Sequence, residues 1–299
     1  MFERILAPLD GSPEAAHAIP LVARLARLLG GSVIILQALD TVTEVTKYVG
    51  APLSAYTITS DTEGARAYLD GVATIIADEG VSVETETRTG SVGETIVEVA
   101  REKNADSIIL TSHGRTGILE RLLGGVAEHV SRDAPIPVLL LRAGEEHTLI
   151  GADGDGRSVR ALLPLDGSVA AESALVPALF LVAALSTPEP GTLHLVRVVA
   201  NGQDASAAED YLSALAERLR AATPEGLKLE VTWSTSAAES VEDELIALAD
   251  GYDLVALTKP EATGRRALGE TIEKLLGNVK LPVLIVPPES ASNPALLQP

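Results

Sequence analysis

The chain lacks cysteine altogether, and aromatic residues make up only 3% of its 299 residues. The missing thiols exclude disulfides, cysteine nucleophiles and thiolate zinc sites. With so few aromatics, we expect cores of Ala, Val, Leu and Ile, which are typical of parallel sheets buried on both faces. The hydrophobic fraction of 46% excludes a disordered chain and, at this length, favours two domains.

Positive charge is also scarce, because 23 Lys and Arg residues stand against 42 Asp and Glu residues and leave a net charge of −19. A field of this sign repels nucleic acid and anionic lipid, so we expect neither as a partner. The longest apolar run, Ala174–Leu185, is too short for a bilayer core of about 30 Å and contains Pro177. The amino terminus shows no secretory leader pattern. We therefore expect a cytoplasmic protein.

Several well-known catalytic patterns are missing as well. The sequence contains no G-x-x-x-x-G-K-[S/T] loop, no G-x-G-x-x-G fingerprint, no G-x-S-x-G nucleophile elbow and no H-E-x-x-H pair. These absences leave an enzymatic function without direct support from a motif.

What the chain does contain is an internal repeat. Three apolar strings recur in the same order, 156, 147 and 145 residues further along the chain. The matched strings are Ile5–Ser12 with Leu162–Ser168, Ala105–Thr111 with Tyr252–Thr258, and Pro137–Leu141 with Pro282–Val286. Offsets that differ by a few residues are what changes in loop length produce. The sequence therefore predicts two tandem copies of one domain.

Each copy alternates short apolar runs with longer amphipathic patterns, which predicts βαβ units with right-handed crossovers. We expect an α/β fold of two open, doubly wound domains, each with five parallel strands. Pro20 and Pro177 should break the first helix of each copy. The predicted organisation is a first domain over 1–143, a connector over 144–158, a second domain over 159–288 and a tail over 289–299.

A ligand of such a sheet is expected where the ends of the first and fourth strands meet. In the first copy, Asp10 follows one strand end, and a glycine-rich string from Thr111 to Val126 follows the other. Glycines permit close backbone approach to a phosphate, and Arg115 offers a charge-assisted contact. The same glycines are equally consistent with plain turns in a surface loop.

Four ordered features now resemble the universal stress protein family: the strings Pro8–Ser12, Gly90–Ile96, Ser112–Gly117 and Pro137–Leu140. The resemblance recurs in both copies. It implies a flavodoxin-like, Rossmann-like strand order of 3-2-1-4-5 and a G-x-x-G, nine residues, G-[S/T] motif in nucleotide-binding members. In this chain the motif falls at Thr111, Gly114, Gly124 and Gly125, so two of the four positions match.

The resemblance further implies an adenine nucleotide, ATP or a relative of it, with or without Mg²⁺, in the first copy. The family's pattern places an aspartate near the ribose or adenine and a small apolar residue against the base. The residues expected to bind are Pro8, Leu9, Asp10, Ala38, Thr111, Ser112, His113, Gly114, Arg115, Gly124, Gly125 and Val126.

Two departures from the motif affect affinity. Thr111 replaces a glycine, so either its backbone is strained in a left-handed conformation, at about 1–3 kcal/mol, or the loop takes another path. Gly125 replaces a hydroxyl residue and removes a hydrogen bond to a charged oxygen, worth about 1.5–3 kcal/mol. We therefore expect weak binding.

The sequence suggests roles for three polar residues in this region. Asp10 is either a helix cap or a ligand contact, and Ser12, directly before Pro13, fits the cap better. His113 has no companion ligand for a metal, so hydrogen bonding within its loop is the simpler role. We assign no metal site and no catalytic residue.

The second copy keeps Asp166 and Val198 at the positions of Asp10 and Ala38, but its glycine loop is lost. Glu261 and Glu270 stand where a phosphate requires neutral groups, so we expect no nucleotide there. Its expected task is to form an intramolecular pseudo-dimer with the first copy. A homodimer and an unidentified protein partner are also compatible with the sequence.

Three functions follow from these observations. The first is a regulatory adenine-nucleotide-binding module of the stress response. The second is a nucleotide-free scaffold of the same fold, which the two departures favour. The third is a slow ATPase or self-phosphorylating protein, for which the sequence supplies no positioned base.

Overall fold

The computed structural model describes residues 1–40, 55–112, 124–142, 149, 157–224, 226–260 and 268–288, with the backbone alone over 55–61. Contacts divide the chain into two compact units; among the described residues the first ends at Ala134 and the second begins at Pro135. The predicted connector, apart from residues 149, 157 and 158, and the predicted tail lie outside this description.

The first unit alternates strands and helices as predicted. Its strands are β1 (Arg4–Pro8), β2 (Ser32–Leu39), β3 (Ser82–Thr89) and β4 (Ser107–Thr111). Its helices are α1 (Pro13–Ala16), α2 (Ile19–Leu29), α3 (Ala55–Asp78), α4 (Val92–Glu102) and α5 (Gly125–Asp133). The strands are all parallel and lie in the order β3-β2-β1-β4, so β1 and β4 meet at the point where the order reverses.

The second unit repeats this plan. Its strands are β5 (Val138–Leu141), β6 (Arg160–Pro164), β7 (Gly191–Ala200), β8 (Leu229–Ala238), β9 (Leu254–Thr258) and β10 (Val283–Val286). A 3₁₀ turn covers Ala171–Ala174, and the helices are α6 (Leu175–Ser186), α7 (Ser206–Ala222), α8 (Val241–Ala249) and α9 (Glu270–Asn278).

The parallel strands of the second unit follow the order β8-β7-β6-β9-β10, which confirms the predicted 3-2-1-4-5 arrangement. The strand β5 corresponds to the predicted fifth strand of the first copy. Its contacts group it with the second unit, where it pairs antiparallel with β10.

The cores are aliphatic, as the scarcity of aromatic residues predicted. Residues Ile5, Leu6 and Ala7 of β1 are at most 2% exposed, and β5 and β10 are buried throughout. Burial on both faces explains why these strands consist of nearly continuous apolar residues.

Proline breaks the first helical segment in each copy, as expected. The helix α1 ends at Ala16, and α2 starts afresh with Pro20 as its second residue. In the second unit the 3₁₀ turn precedes α6, where Pro177 occupies the first turn. Proline is tolerated there because the first amides of a helix have no partner within the helix.

Candidate functional site

The predicted site begins at the carboxyl end of β1, whose last residue is Pro8. The Leu9 amide donates to the Leu36 carbonyl at 2.8 Å and prolongs the pairing with β2, while the Leu9 side chain is 3% exposed. Residues Pro8 and Leu9 therefore fix where the chain leaves the sheet. Asp10 is the first residue beyond it.

Asp10 and Ser12 form one turn with two separate tasks. The Ser12 hydroxyl accepts from the Ala15 amide at 3.1 Å, so Ser12 caps α1 as the sequence suggested. Asp10 Oδ1 accepts from the Ser12 amide at 2.9 Å and from the Ser12 hydroxyl at 2.5 Å. These bonds orient the Asp10 carboxylate at the edge of the sheet without using it as the helix cap.

On the other side of β1, Thr111 ends β4 as the last residue of an extended strand. Within the described ranges, Phe2 and Asn104 are the only residues other than glycine with a positive φ. Thr111 is therefore free of the left-handed strain that its replacement of a glycine suggested. The alternative, that the loop takes another path, concerns residues 113–123, which lie outside the described residues.

The amino terminus of α5 returns directly to this strand end. The Gly124 amide donates to the Ser112 carbonyl at 3.1 Å, and a Cβ at position 124 would lie 2.8 Å from that oxygen. Only glycine permits so close an approach. The glycine at 124 is thus required by packing of the backbone, in addition to any contact with a ligand.

The first turn of α5 presents unpaired backbone donors. Gly124 is the N-cap and supplies no side-chain acceptor. The first bond within the helix is formed by the Glu128 amide, which donates to the Gly124 carbonyl at 2.9 Å. The amides of Gly125, Val126 and Ala127 therefore have no acceptor within the helix, and such amides favour an anion.

Gly125 differs from its neighbour in having room around it. A Cβ at this position would meet no atom of the described residues within 4 Å, and Val126 beside it is 39% exposed. The backbone offers its amide here, while the hydroxyl of the resembling motif is absent. Space for that hydroxyl is nevertheless present.

Ala38 completes the described part of the predicted site. It is half-buried near the end of β2, in register with Arg88 of β3. The parallel order β2-β1-β4 brings Ala38, Asp10 and Thr111 to the same edge of the sheet. The predicted residues His113, Gly114 and Arg115 lie outside the described residues.

The C-terminal domain has a cleft of about 510 Å³ at the corresponding edge of its sheet. Asp166 lies in it and accepts from the Ser168 amide at 2.8 Å, and the Ser168 hydroxyl accepts from the Ala171 amide at 3.1 Å. This turn is the same as that of Asp10 and Ser12. The repeat therefore extends to the hydrogen bonds of the turn.

An ion pair with Lys274 changes the repulsion that Glu270 was expected to exert on an anion in this cleft. Glu270 begins α9, but its side chain is 76% exposed and pairs with Lys274 at 3.1 Å. The carboxylate is thus partly neutralised and faces solvent, so it repels an anion in the cleft less than the sequence suggested. Glu261 lies outside the described residues.

Comparison with known proteins shows the family to which the chain belongs. Residues 1–142 match the model of the universal stress protein family. Universal stress protein MJ0531 of Methanocaldococcus jannaschii is 32% identical over 146 residues, which are 48% of this chain and 83% of that protein. The chain belongs to the universal stress protein family.

The solved structures that resemble this universal stress protein support its tandem fold. A universal stress protein from Archaeoglobus fulgidus aligns with a TM-score of 0.75 at 21% identity, covering 96% of this chain and 99% of that one. A universal stress protein solved in complex with cAMP aligns with a TM-score of only 0.38 at 21% identity, over 48% of this chain and 98% of that one. Nothing about this chain's own ligand follows from the latter.

One residue near the site was missed by the sequence reasoning. Tyr68 of α3 has a buried hydroxyl with no hydrogen-bond partner among the described residues, and burial, followed by the charge of Asp10, raises its pKa. Tyr211 of α7 lies near Asp166 in the same way, but its hydroxyl donates to Glu172 at 3.1 Å. The recurring dipeptides, Tyr68-Leu69 and Tyr211-Leu212, were the available signal.

Proposed function

We propose that the N-terminal domain binds an adenine nucleotide, such as ATP, and serves as a regulatory binding module in the stress response. The observation that carries the proposal is the approach of α5 to the end of β4, where Gly124 donates to Ser112 at 3.1 Å. This contact holds three helix-terminal amides at the edge of the sheet. A phosphate is the ligand that such amides favour most.

The rest of the edge suits a nucleoside. The Asp10 carboxylate is oriented by Ser12 at 2.9 Å and would accept bonds from ribose hydroxyls. Ala38, two strands from β4, leaves room for a flat base beside it because its side chain is a single methyl group. Along the strand ends, Ala38, the Asp10 carboxylate and the amides of α5 thus follow one another in that order. This is the order in which a base, a ribose and a phosphate would be bound.

No step of catalysis is included in this proposal. The residues described at the edge provide acceptors, amides and apolar contacts, and within the described ranges no group of three His, Asp or Glu side chains is placed to hold a metal ion. We further propose that the protein acts in the cytoplasm, that a protein partner responds to the bound nucleotide, and that the two copies form a pseudo-dimer.

Calorimetric titration of ATP and AMP into the full chain tests the proposal. Asp10→Asn keeps an acceptor for Ser12 but removes the charge, and we expect it to weaken ATP by about 10- to 100-fold, the value of one bond to a charged group. Asp166→Asn is the matched control, because it makes the same change in the same turn of the other domain. It should leave the affinity unchanged.

Two results would contradict the proposal, the first nucleotide binding itself and the second its location in the N-terminal domain. The first is the absence of heat and of thermal stabilisation at millimolar ATP, and the second is equal loss in both variants. The missing hydroxyl at Gly125 favours the nucleotide-free scaffold as the second candidate, and the first of these results would select it.

A further inference from the structure

The cleft of the C-terminal domain has the size and lining of a small-molecule site. Its volume of about 510 Å³ lies inside the range of ligand pockets, about 300–1,000 Å³. It opens at the carboxyl ends of β6, β7 and β9. Much of its wall is aliphatic and is formed by Val196, Val198, Leu245, Leu268 and Ile272.

Arg197 on β7 brings a cation into this cleft. Its guanidinium lies 5.7 Å from the ring centroid of Tyr211, and no described residue forms a hydrogen bond or an ion pair with it. The guanidinium lies against the backbone of Gly167, where a Cβ would come within 2.7 Å of one of its nitrogens. A guanidinium offers five N–H donors, and here they remain available.

The cation is specific to the C-terminal domain. The equivalent residue of the N-terminal domain, one before Ala38, is Gln37, which is neutral and 7% exposed. The C-terminal domain thus has a half-buried guanidinium where the N-terminal domain has a buried amide. This anion-binding group is a difference between the two copies.

The other charged groups that line the cleft are of both signs, one lysine and two carboxylates. Lys259 lines it, and the uncapped amino terminus of α9 begins there after Gly269. Asp166 is the opposing charge; burial disfavours its ionised form, but hydrogen bonds from Ser168 and the nearby Arg197 hold its pKa below the ordinary value. Glu270 is the second carboxylate, and it pairs with Lys274 at 3.1 Å.

We propose that this cleft binds a small organic acid, whose single carboxylate or phosphate group is received by Arg197 and whose apolar part packs against the aliphatic wall. The residues from Thr258 to Glu270 contain only Gly264 and Gly269 as glycines, without the paired spacing that surrounds a polyphosphate. The ligand therefore differs in class from that of the N-terminal domain, and the two sites are independent.

The test uses three probes that share a phenyl ring: phenylacetate, phenyl phosphate and the neutral benzyl alcohol. Each is titrated into the full chain by calorimetry. We expect saturable binding of phenylacetate, phenyl phosphate or both, and binding of benzyl alcohol about tenfold weaker or less, as the loss of one charge-assisted contact predicts. The acid that binds more tightly identifies the acidic group.

Arg197→Met should weaken the bound acid by about tenfold or more, because it keeps the aliphatic stem and removes the donors. Lys228→Met is the control for charge, since Lys228 directly precedes β8 at the end away from the cleft. Arg197→Lys keeps the charge without the planar fork and should fall between wild type and Arg197→Met. Asp10→Asn should have no effect.

Three outcomes would overturn the proposal. One is the absence of saturable binding of either acid at millimolar concentration, and another is equal binding of benzyl alcohol. The third is unchanged affinity in Arg197→Met. If Arg197→Met has a lower melting temperature than the wild type, the affinity of Arg197→Lys for the acid is the deciding measurement. An affinity equal to that of the wild type at both high and low salt would then refute the role of the guanidinium.

Discussion

Restoring a hydroxyl at position 125 should strengthen nucleotide binding by the N-terminal domain. Gly125 is the first residue of α5, and a Cβ there meets no atom of the described residues within 4 Å, so Gly125→Ser fits without displacing any of them. Its hydroxyl would lie beside three amides that have no acceptor within the helix. A phosphate bound to those amides would gain one further donor.

The size of the gain follows from the value of a hydrogen bond to a charged group. That value is about 1.5–3 kcal/mol, which corresponds to an affinity about 10- to 100-fold higher. The variant Gly125→Ala separates this bond from changes in the helix, because it adds the Cβ alone. It should stabilise the fold by about 0.4–1 kcal/mol through the unfolded chain and leave ATP affinity nearly unchanged.

Calorimetry with ATP and urea unfolding would measure the two effects separately. The neighbouring variant Gly124→Ser is the steric control, because its Cβ would lie 2.8 Å from the Ser112 carbonyl. We expect it to destabilise the fold and to weaken ATP. Equal ATP affinity in the Ser and Ala variants of Gly125 would refute the placement of phosphate at α5.

Two further predictions concern the fold. Tyr68→Phe should be neutral or stabilising, since it removes a buried hydroxyl that has no partner among the described residues. Tyr211→Phe should cost about 1.5–3 kcal/mol by urea unfolding, because Glu172 loses its tyrosine donor and keeps only Arg218 at 3.4 Å; equal effects would contradict this. Burial, followed by the charge of Arg160, lowers the pKa of His194, so the unfolded chain binds more protons below pH ~6.5. The stability of the wild type should be complete above that pH and decline below it more steeply than that of His194→Gln, measured by urea unfolding at each pH.

The architecture was predictable because it depends on patterns that repeat. The sequence predicts strands over Ser107–Thr111, Val138–Leu141 and Val283–Val286 because each is a short, mostly apolar run, and the structure has strands with these bounds. The break at Pro20 was predictable from the missing amide of proline. In contrast, the pattern of the sequence predicts a strand over Lys228–Trp233, whereas β8 extends to Ala238 because its pairing with β7 continues through polar residues.

The candidate site was predictable only where local chemistry determines it. Ser12 was identified as the cap from its position before Pro13, and its bond to the Ala15 amide confirms the assignment. The conformation of Thr111 was not determined by a motif, because a strand end is set by pairing within the sheet. The pairing of Glu270 with Lys274 was available from their spacing of four residues, but its effect on the cleft depends on which way the side chain turns.

Taken together, the two proposals describe a duplicated fold whose domains differ in their binding groups. Both keep the aspartate turn, Asp10 with Ser12 and Asp166 with Ser168, because the turn caps the following segment whatever the ligand. The groups that would contact an anion are not shared. A glycine at the head of α5 offers backbone amides in one domain, while Arg197 offers a guanidinium in the other. Backbone amides suit a phosphate that approaches closely, whereas a long side chain would receive an acidic group further into the cleft. The proposed difference in ligand class therefore needs one exchanged side chain on a strand and no change in the strand order.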